Sequence, residues 1–215
     1  SGTGFSGNAG ISQISATENP TDKQRTGTAT IIQDESGKTA TISLSQAASV
    51  ITYENTISAN KTTLTFAATA GDQVVTITSI RQKKLNGKNS GDPTTVNTTG
   101  EVTGTGFSLK TQSGANYTVS VTENTNETTG RTGTLVVTQE GSGAKSITIN
   151  LSQLKATVAY VYNLSSNPSR VEFAATGETK TLSISSTKQK TVNGKNSGSP
   201  VAVNYTTTVS GTGFS

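Results

Sequence analysis

An internal repeat constrains this chain more than any other feature. Phe66-Ala-Ala-Thr69 returns as Phe173-Ala-Ala-Thr176, and Asn86-Gly-Lys-Asn-Ser-Gly91 returns as Asn193-Gly-Lys-Asn-Ser-Gly198. Leu44-Ser-Gln46 returns as Leu151-Ser-Gln153, Arg25-Thr-Gly-Thr28 as Arg131-Thr-Gly-Thr134, and Thr17-Glu-Asn19 as Thr122-Glu-Asn124. Gly-Thr-Gly-Phe-Ser occurs at 2–6, 104–108 and 211–215. Small drifts in spacing place length differences in the loops between these blocks. The chain therefore holds about two periods of one unit of about 100 residues, the size of a small domain.

Within each unit the apolar residues alternate with polar ones. Leu64-Thr65-Phe66, Val75-Thr76-Ile77, Tyr117-Thr118-Val119-Ser120-Val121 and Ile147-Thr148-Ile149-Asn150-Leu151 all have period two, the spacing of a half-buried strand. Thr, Val and Ile suit a pleated surface, while Gly and Asn supply turns. No segment carries a sustained helical period, so the expectation is all-β. From the Tyr53 region onward, seven strands are predicted at about 62–68, 73–82, 94–99, 105–110, 115–122, 132–139 and 145–152. Asn86-Gly87 and Glu140-Gly-Ser-Gly143 read as hairpin turns. Seven short strands in about 100 residues predict immunoglobulin-like antiparallel β-sandwiches in tandem.

This phasing divides the chain into residues 1–47, the carboxyl-terminal half of one repeat; 48–154, a complete repeat; and 155–215, the amino-terminal half of a further repeat. A half sandwich leaves strand edges and one core face open. Its expected partners are neighbouring repeats or copies of the same protein. Three completions are open: the chain as a window on a longer array, head-to-tail complementation between copies, and the two halves of one chain folding together.

Residue types narrow the chemistry. The 215 residues include no His, Cys, Met or Trp, which removes imidazole bases, thiolate nucleophiles, disulfides and ordinary zinc or haem sites. No catalytic residue, metal site or cofactor is nominated. Asp34-Glu35 and Asp72 lack the dense carboxylate alternation of a calcium loop. The formal charge of +4 in a chain that is 14% charged is too weak to argue for nucleic acid. No apolar run is long enough to span a bilayer, so membrane insertion is not expected.

The block Leu64-Thr-Phe-Ala-Ala-Thr-Ala-Gly-Asp-Gln-Val-Val-Thr-Ile-Thr-Ser79, with Arg131-Thr-Gly-Thr-Leu-Val-Val-Thr-Gln139 and Ser146-Ile-Thr-Ile-Asn-Leu-Ser-Gln153, resembles the BACON family of immunoglobulin-like domains. The resemblance covers the central unit and both flanking halves. It implies a surface or secreted protein of gut Bacteroidota, or a structural protein of their phages, including crAss-like phages. Members of that family are proposed to bind mucin or other carbohydrate. This chain lacks the Trp residues typical of the middle of the domain, where the Arg81-to-Gly91 hairpin lies instead. The resulting expectation is a non-enzymatic, extracellular or virion-surface fibre segment, from a phage fibre or decoration protein, that contacts a host surface or mucin. The alternative is a carbohydrate-binding module of a secreted glycan-processing or adhesin protein.

Two residue sets are candidate contacts. Arg81, Lys83, Lys84 and Lys88, matched by Lys188, Lys190 and Lys195, surround the Asn-Gly turn and suit an anionic glycan, a neighbouring subunit, or a charged edge that blocks wrong strand pairing. Tyr53, Tyr160 and Tyr162 lie near the repeat junctions and suit inter-domain packing. Phe5, Phe107 and Phe214 are one repeated position, and Phe66 and Phe173 another. All five are expected in cores. Tyr117 and Tyr205 alternate like core residues, Tyr117 more strongly.

Overall fold

The computed structural model describes residues 2–8 and 13–214; Ser215, which ends the third Gly-Thr-Gly-Phe-Ser, lies outside the described residues. Among these residues all regular structure is β. Residues 1–47 carry β1 (Phe5–Asn8), β2 (Gln13–Ala16), β3 (Arg25–Ile32) and β4 (Thr39–Gln46). Next come β5 (Ile51–Ala59), β6 (Thr63–Phe66), β7 (Gly71–Leu85), β8 (Lys88–Asn89) and β9 (Thr94–Thr95). They are followed by β10 (Thr98–Thr103), β11 (Phe107–Ser113), β12 (Asn116–Val121), β13 (Arg131–Gln139) and β14 (Ser146–Gln153). The last segment holds β15 (Val158–Asn167), β16 (Ser183–Val192), β17 (Lys195–Asn196) and β18 (Val201–Ala202).

Strands β5 to β14 form two sheets. One has the order β11-β12-β7-β5, with β8 and β9 also on β7; the other has the order β10-β13-β14-β6. Strand β6 joins β14 in parallel, Leu151 opposite Leu64. Lettered in chain order, these are the D-E-B-A and C-F-G-A′ sheets of an immunoglobulin-like β-sandwich. Two strands differ from the sequence expectation. Strand β5 is not among the seven expected strands, because the buried polar Asn55 interrupts the apolar alternation of its inner face. The strand expected at 94–99 is broken at Val96-Asn97, since β9 pairs with β7 whereas β10 belongs to the opposite sheet.

The chain resolves into two compact units, one of residues 1–59, 77–99 and 137–147, the other of 60–76, 100–136 and 148–215. In the first, β5 pairs with β7 from Ile51 opposite Leu85 to Ala59 opposite Ile77. Gln139 Nε2 donates from β13 to the Thr56 carbonyl at 2.8 Å and to Ser79 Oγ at 3.1 Å, so a buried amide ties the two sheets together. In the second, Phe66 of β6 meets Phe107 of β11 edge-on, ring centroids 6.0 Å apart. Tyr117 is fully buried there, its ring so close to Gly100 that a Cβ would lie 2.5 Å from Cε1. Leu64, Val75, Val119, Leu135, Ile149 and Leu151 complete this core. Burial of each such side chain stabilises the fold by about 1.5–3 kcal/mol.

The core expectation needs correction outside the central strands. Phe66, Phe107 and Tyr117 are buried, but Phe173, Phe214 and Tyr205 are exposed and Phe5 is half-buried. Phe173 and Phe214 still meet edge-on at 5.8 Å, as Phe66 and Phe107 do. What they lack is a facing set of strands to cover them.

Candidate inter-repeat joint

Three of the repeated motifs converge on one place. Where β2 and β12 end, Thr17-Glu18-Asn19 and Thr122-Glu123-Asn124 enter loops that lead to β3 and β13. Asn19 and Asn124 are buried, and a buried amide has to find partners. Asn124 Nδ2 donates to the Thr129 carbonyl at 3.1 Å and to the Leu154 carbonyl at 2.9 Å, while its Oδ1 accepts from the Asn126 N–H at 3.1 Å. Asn19 repeats the pattern with the carbonyls of Lys23 (2.7 Å) and Ala47 (2.9 Å) and the Thr21 N–H (3.1 Å). Ala47 and Leu154 directly follow β4 and β14, so each amide fixes the start of the linker that leads on to β5 or β15.

The Arg of Arg-Thr-Gly-Thr braces the same loop. Arg131 Nη2 donates to the Glu123 carbonyl at 3.2 Å and Nη1 to Thr122 Oγ1 at 3.2 Å. Arg25 donates from Nη2 to the Glu18 carbonyl at 2.8 Å and from Nε to Asn19 Oδ1 at 2.8 Å. The guanidinium lies over the turn of Gly-Thr-Gly-Phe. Gly106 has φ +85°, and a Cβ there would fall 2.4 Å from Arg131 Nη1, so both backbone conformation and space call for glycine.

Across the linker stands the Asn-Gly turn of the following repeat. Asn86 and Asn193 have φ of 48° and 50°, and Gly87 and Gly194 have φ of 81° and 78°, the two left-handed positions of a type I′ hairpin. Asn86 Oδ1 accepts from the Val50 N–H at 3.0 Å and Asn193 Oδ1 from the Thr157 N–H at 3.0 Å. In return, the Asn86 and Asn193 N–H groups donate to the Val50 and Thr157 carbonyls at 2.9 and 2.8 Å. Each Nδ2 then reaches back to the preceding repeat: Asn86 to Glu18 Oε1 at 3.0 Å, Asn193 to Glu123 Oε1 at 3.1 Å and to the Asn124 carbonyl at 3.0 Å. Glu-Asn of one repeat and Asn-Gly of the next thus clamp the linker between them. The first joint lies wholly in the first compact unit and the second wholly in the other.

Charge reinforces the second joint. Lys195 Nζ lies 2.6 Å from Glu123 Oε2, and Lys190 Nζ lies 2.5 Å from Glu127 Oε1. The hydrogen bond from Lys195, followed by that from Asn193, lowers the Glu123 carboxyl below its ordinary value of 4.5. The hydrogen bond to Glu127 raises Lys190 above its ordinary value. The corresponding residues at the first joint are Lys88 and Lys83, and Glu18 and Asp22 stand where Glu123 and Glu127 do; among the described residues the side chains of Lys83 and Lys88 have no partner.

The remaining candidate residues lie on the same hairpins but bind within their own repeat. Lys84 pairs with Glu54 at 2.7 Å, Arg81 lies 4.4 Å over the Tyr53 ring, and Lys188 lies 5.4 Å from that of Tyr160. Tyr53, Tyr160 and Tyr162 stay exposed on β5 and β15. Of the decisive joint residues, Glu18, Asn19, Glu123 and Asn124 were visible in the sequence as repeated motifs without an assigned task, and Asn86 and Asn193 as turn residues only. Their signal was the recurrence of polar residues next to a strand end.

No family model matches the chain, and no curated protein is significantly similar to it. Among solved structures, the chain is similar to protocadherin gamma B2 extracellular cadherin domains 3–6, with 14% identity and a TM-score of 0.30. That match covers 90% of this chain, which spans 45% of the protocadherin fragment.

Proposed function

We propose that the chain is a non-enzymatic structural segment of an extracellular or virion-surface fibre. It consists of tandem BACON-like immunoglobulin-like repeats with boundaries at 47/48 and 154/155, and it belongs to a phage fibre or decoration protein. The observation that carries this reading is the joint itself. The same side chains clamp the linker at both boundaries, so the repeats are held at a set angle rather than strung on a loose tether. A spacer needs little more than this: a stiff module and a stiff connection. Antibodies raised against the chain and labelled with gold should decorate regular projections on particles or cells. Label confined to secreted, soluble enzyme fractions would contradict the reading.

A second reading, anionic-glycan contact, draws on the unpartnered Lys83 and Lys88 at the first joint. Surface cations of this kind form charge-assisted hydrogen bonds with sulfate or carboxylate groups. If the chain serves only as a spacer, its retention on mucin is negligible. Strong retention that is abolished by Lys83→Glu with Lys88→Glu would establish the second reading.

A further inference from the structure

Asn86-Gly87 and Asn193-Gly194 are the only places in the chain where glycine follows asparagine. That pair carries a chemistry of its own. The main-chain nitrogen after an asparagine can attack the side-chain amide carbon, and glycine, with no Cβ, leaves that nitrogen least shielded. The structure also sets these two nitrogens apart from their neighbours. At Asn89-Ser90 and Asn196-Ser197 the serine N–H is spent on a hydrogen bond, to the Lys83 and Lys190 carbonyls at 2.9 Å each. The N–H groups of Gly87 and Gly194 have no hydrogen-bond partner among the described residues, and both glycines are exposed to water.

The amides within reach of these nitrogens are held by the joints. Asn86 Oδ1 accepts from the Val50 N–H, while its Nδ2 donates to Glu18 Oε1 and lies 3.3 Å from Ser49 Oγ. Asn193 is gripped in the same way by the Thr157 N–H, by Glu123 Oε1 and by the Asn124 carbonyl. A side chain fixed on the linker through both its oxygen and its nitrogen is not free to swing over the glycine nitrogen. Reaction therefore waits on local opening of the joint.

We propose that Asn86 and Asn193 are deamidation sites that the closed joints protect, and that their conversion loosens the joint irreversibly. The glycine nitrogen forms a bond to Cγ, the Cγ–Nδ2 bond breaks, and ammonia leaves with the glycine proton. Water then opens the cyclic imide at either carbonyl, leaving aspartate or its β-linked isomer, with no oxidation or reduction. The product lacks the Nδ2 donor and sets a second carboxylate against Glu18 or Glu123, where like charges oppose each other's ionisation. At the second joint the Asn124 carbonyl loses its donor as well. The β-linked isomer also lengthens the main chain of a two-residue turn by a methylene. This chemistry rests on the joint geometry and holds whether or not the chain belongs to a fibre.

The test incubates the 215-residue chain at mildly alkaline pH, folded and in guanidinium chloride, and follows the mass gain of amide to acid by peptide mass spectrometry. Cleavage after lysine places Asn86 in the peptide 85–88 and Asn193 in 191–195, so each site is read separately. Conversion should be slower in the folded chain by on the order of tenfold or more, the factor a local opening equilibrium imposes. Glu123→Ala should speed it several-fold at Asn193 and leave the Asn86 rate unchanged, which also reports an intact fold. Glu18→Ala should do the reverse. Asn193→Asp should accelerate exchange of the main-chain amide at 193, corrected for intrinsic rate. Equal rates in the folded and unfolded chain would overturn the proposal, as would no conversion at either site in guanidinium chloride. So would an Asn193 rate untouched by Glu123→Ala, or unaltered exchange in Asn193→Asp.

Discussion

Asn124 shows how one side chain can hold a boundary between modules. Its amide satisfies two carbonyls and one N–H in a buried site, and removing it leaves all three without that partner. Asn124→Ala should lower stability by about 2–4 kcal/mol, the cost of stranding buried polar groups, read as a shift in urea midpoint. Glu123 supplies a pH test. Its folded pKa lies below the ordinary 4.5, so its contribution is complete above that value and is lost as pH falls through the lowered pKa. Amide exchange at Thr157 and Asn193, corrected for intrinsic rate, should therefore accelerate as acidification passes through this lowered pKa. Glu123→Gln should flatten this acid dependence. An unaltered acid profile in Glu123→Gln would assign the effect elsewhere.

At the scale of elements, strand placement follows partner supply more closely than local propensity. The apolar alternation Leu64-Thr65-Phe66 returns as Val171-Glu172-Phe173, yet Thr63–Phe66 is a strand and its counterpart is not. That is why period-two alternation located β6, β7, β12, β13 and β14 well. The edge strand β5 was hidden for another reason: its inner face alternates, but Asn55 puts a buried polar residue where the pattern calls for an apolar one. Close approach between elements is also written in glycines. A Cβ on Gly133 of β13 would lie 2.2 Å from the Thr103 carbonyl oxygen. Gly133→Ala should cost about 1–3 kcal/mol through overpacking, measured by thermal or chemical unfolding. A neutral result would mean that β10 and β13 separate without penalty.

At the scale of the whole molecule, the repeat was the legible part and its purpose was not. The recurrence of Thr-Glu-Asn, Arg-Thr-Gly-Thr, Leu-Ser-Gln and Asn-Gly could be read directly from the chain. That they meet at the linker depends on contacts between residues far apart, such as Glu123 and Asn193, which no local pattern encodes. The basic hairpin illustrates the same point. In the sequence its lysines suit an anionic glycan, a neighbouring subunit or a charged edge; in the structure Lys190 and Lys195 are bound to Glu127 and Glu123.

On the proposed reading, each joint holds successive repeats in one orientation. The absence of native Cys permits spin labels at Asp34→Cys and Asp92→Cys, two exposed positions on either side of the first joint. Pulsed electron spin resonance should return one narrow distance distribution for the native joint. Asn86→Gly, which keeps the turn and removes the side chain that grips Val50 and Glu18, should broaden it markedly. A broad distribution in the unaltered joint, or a narrow one that persists in Asn86→Gly, would contradict the claim.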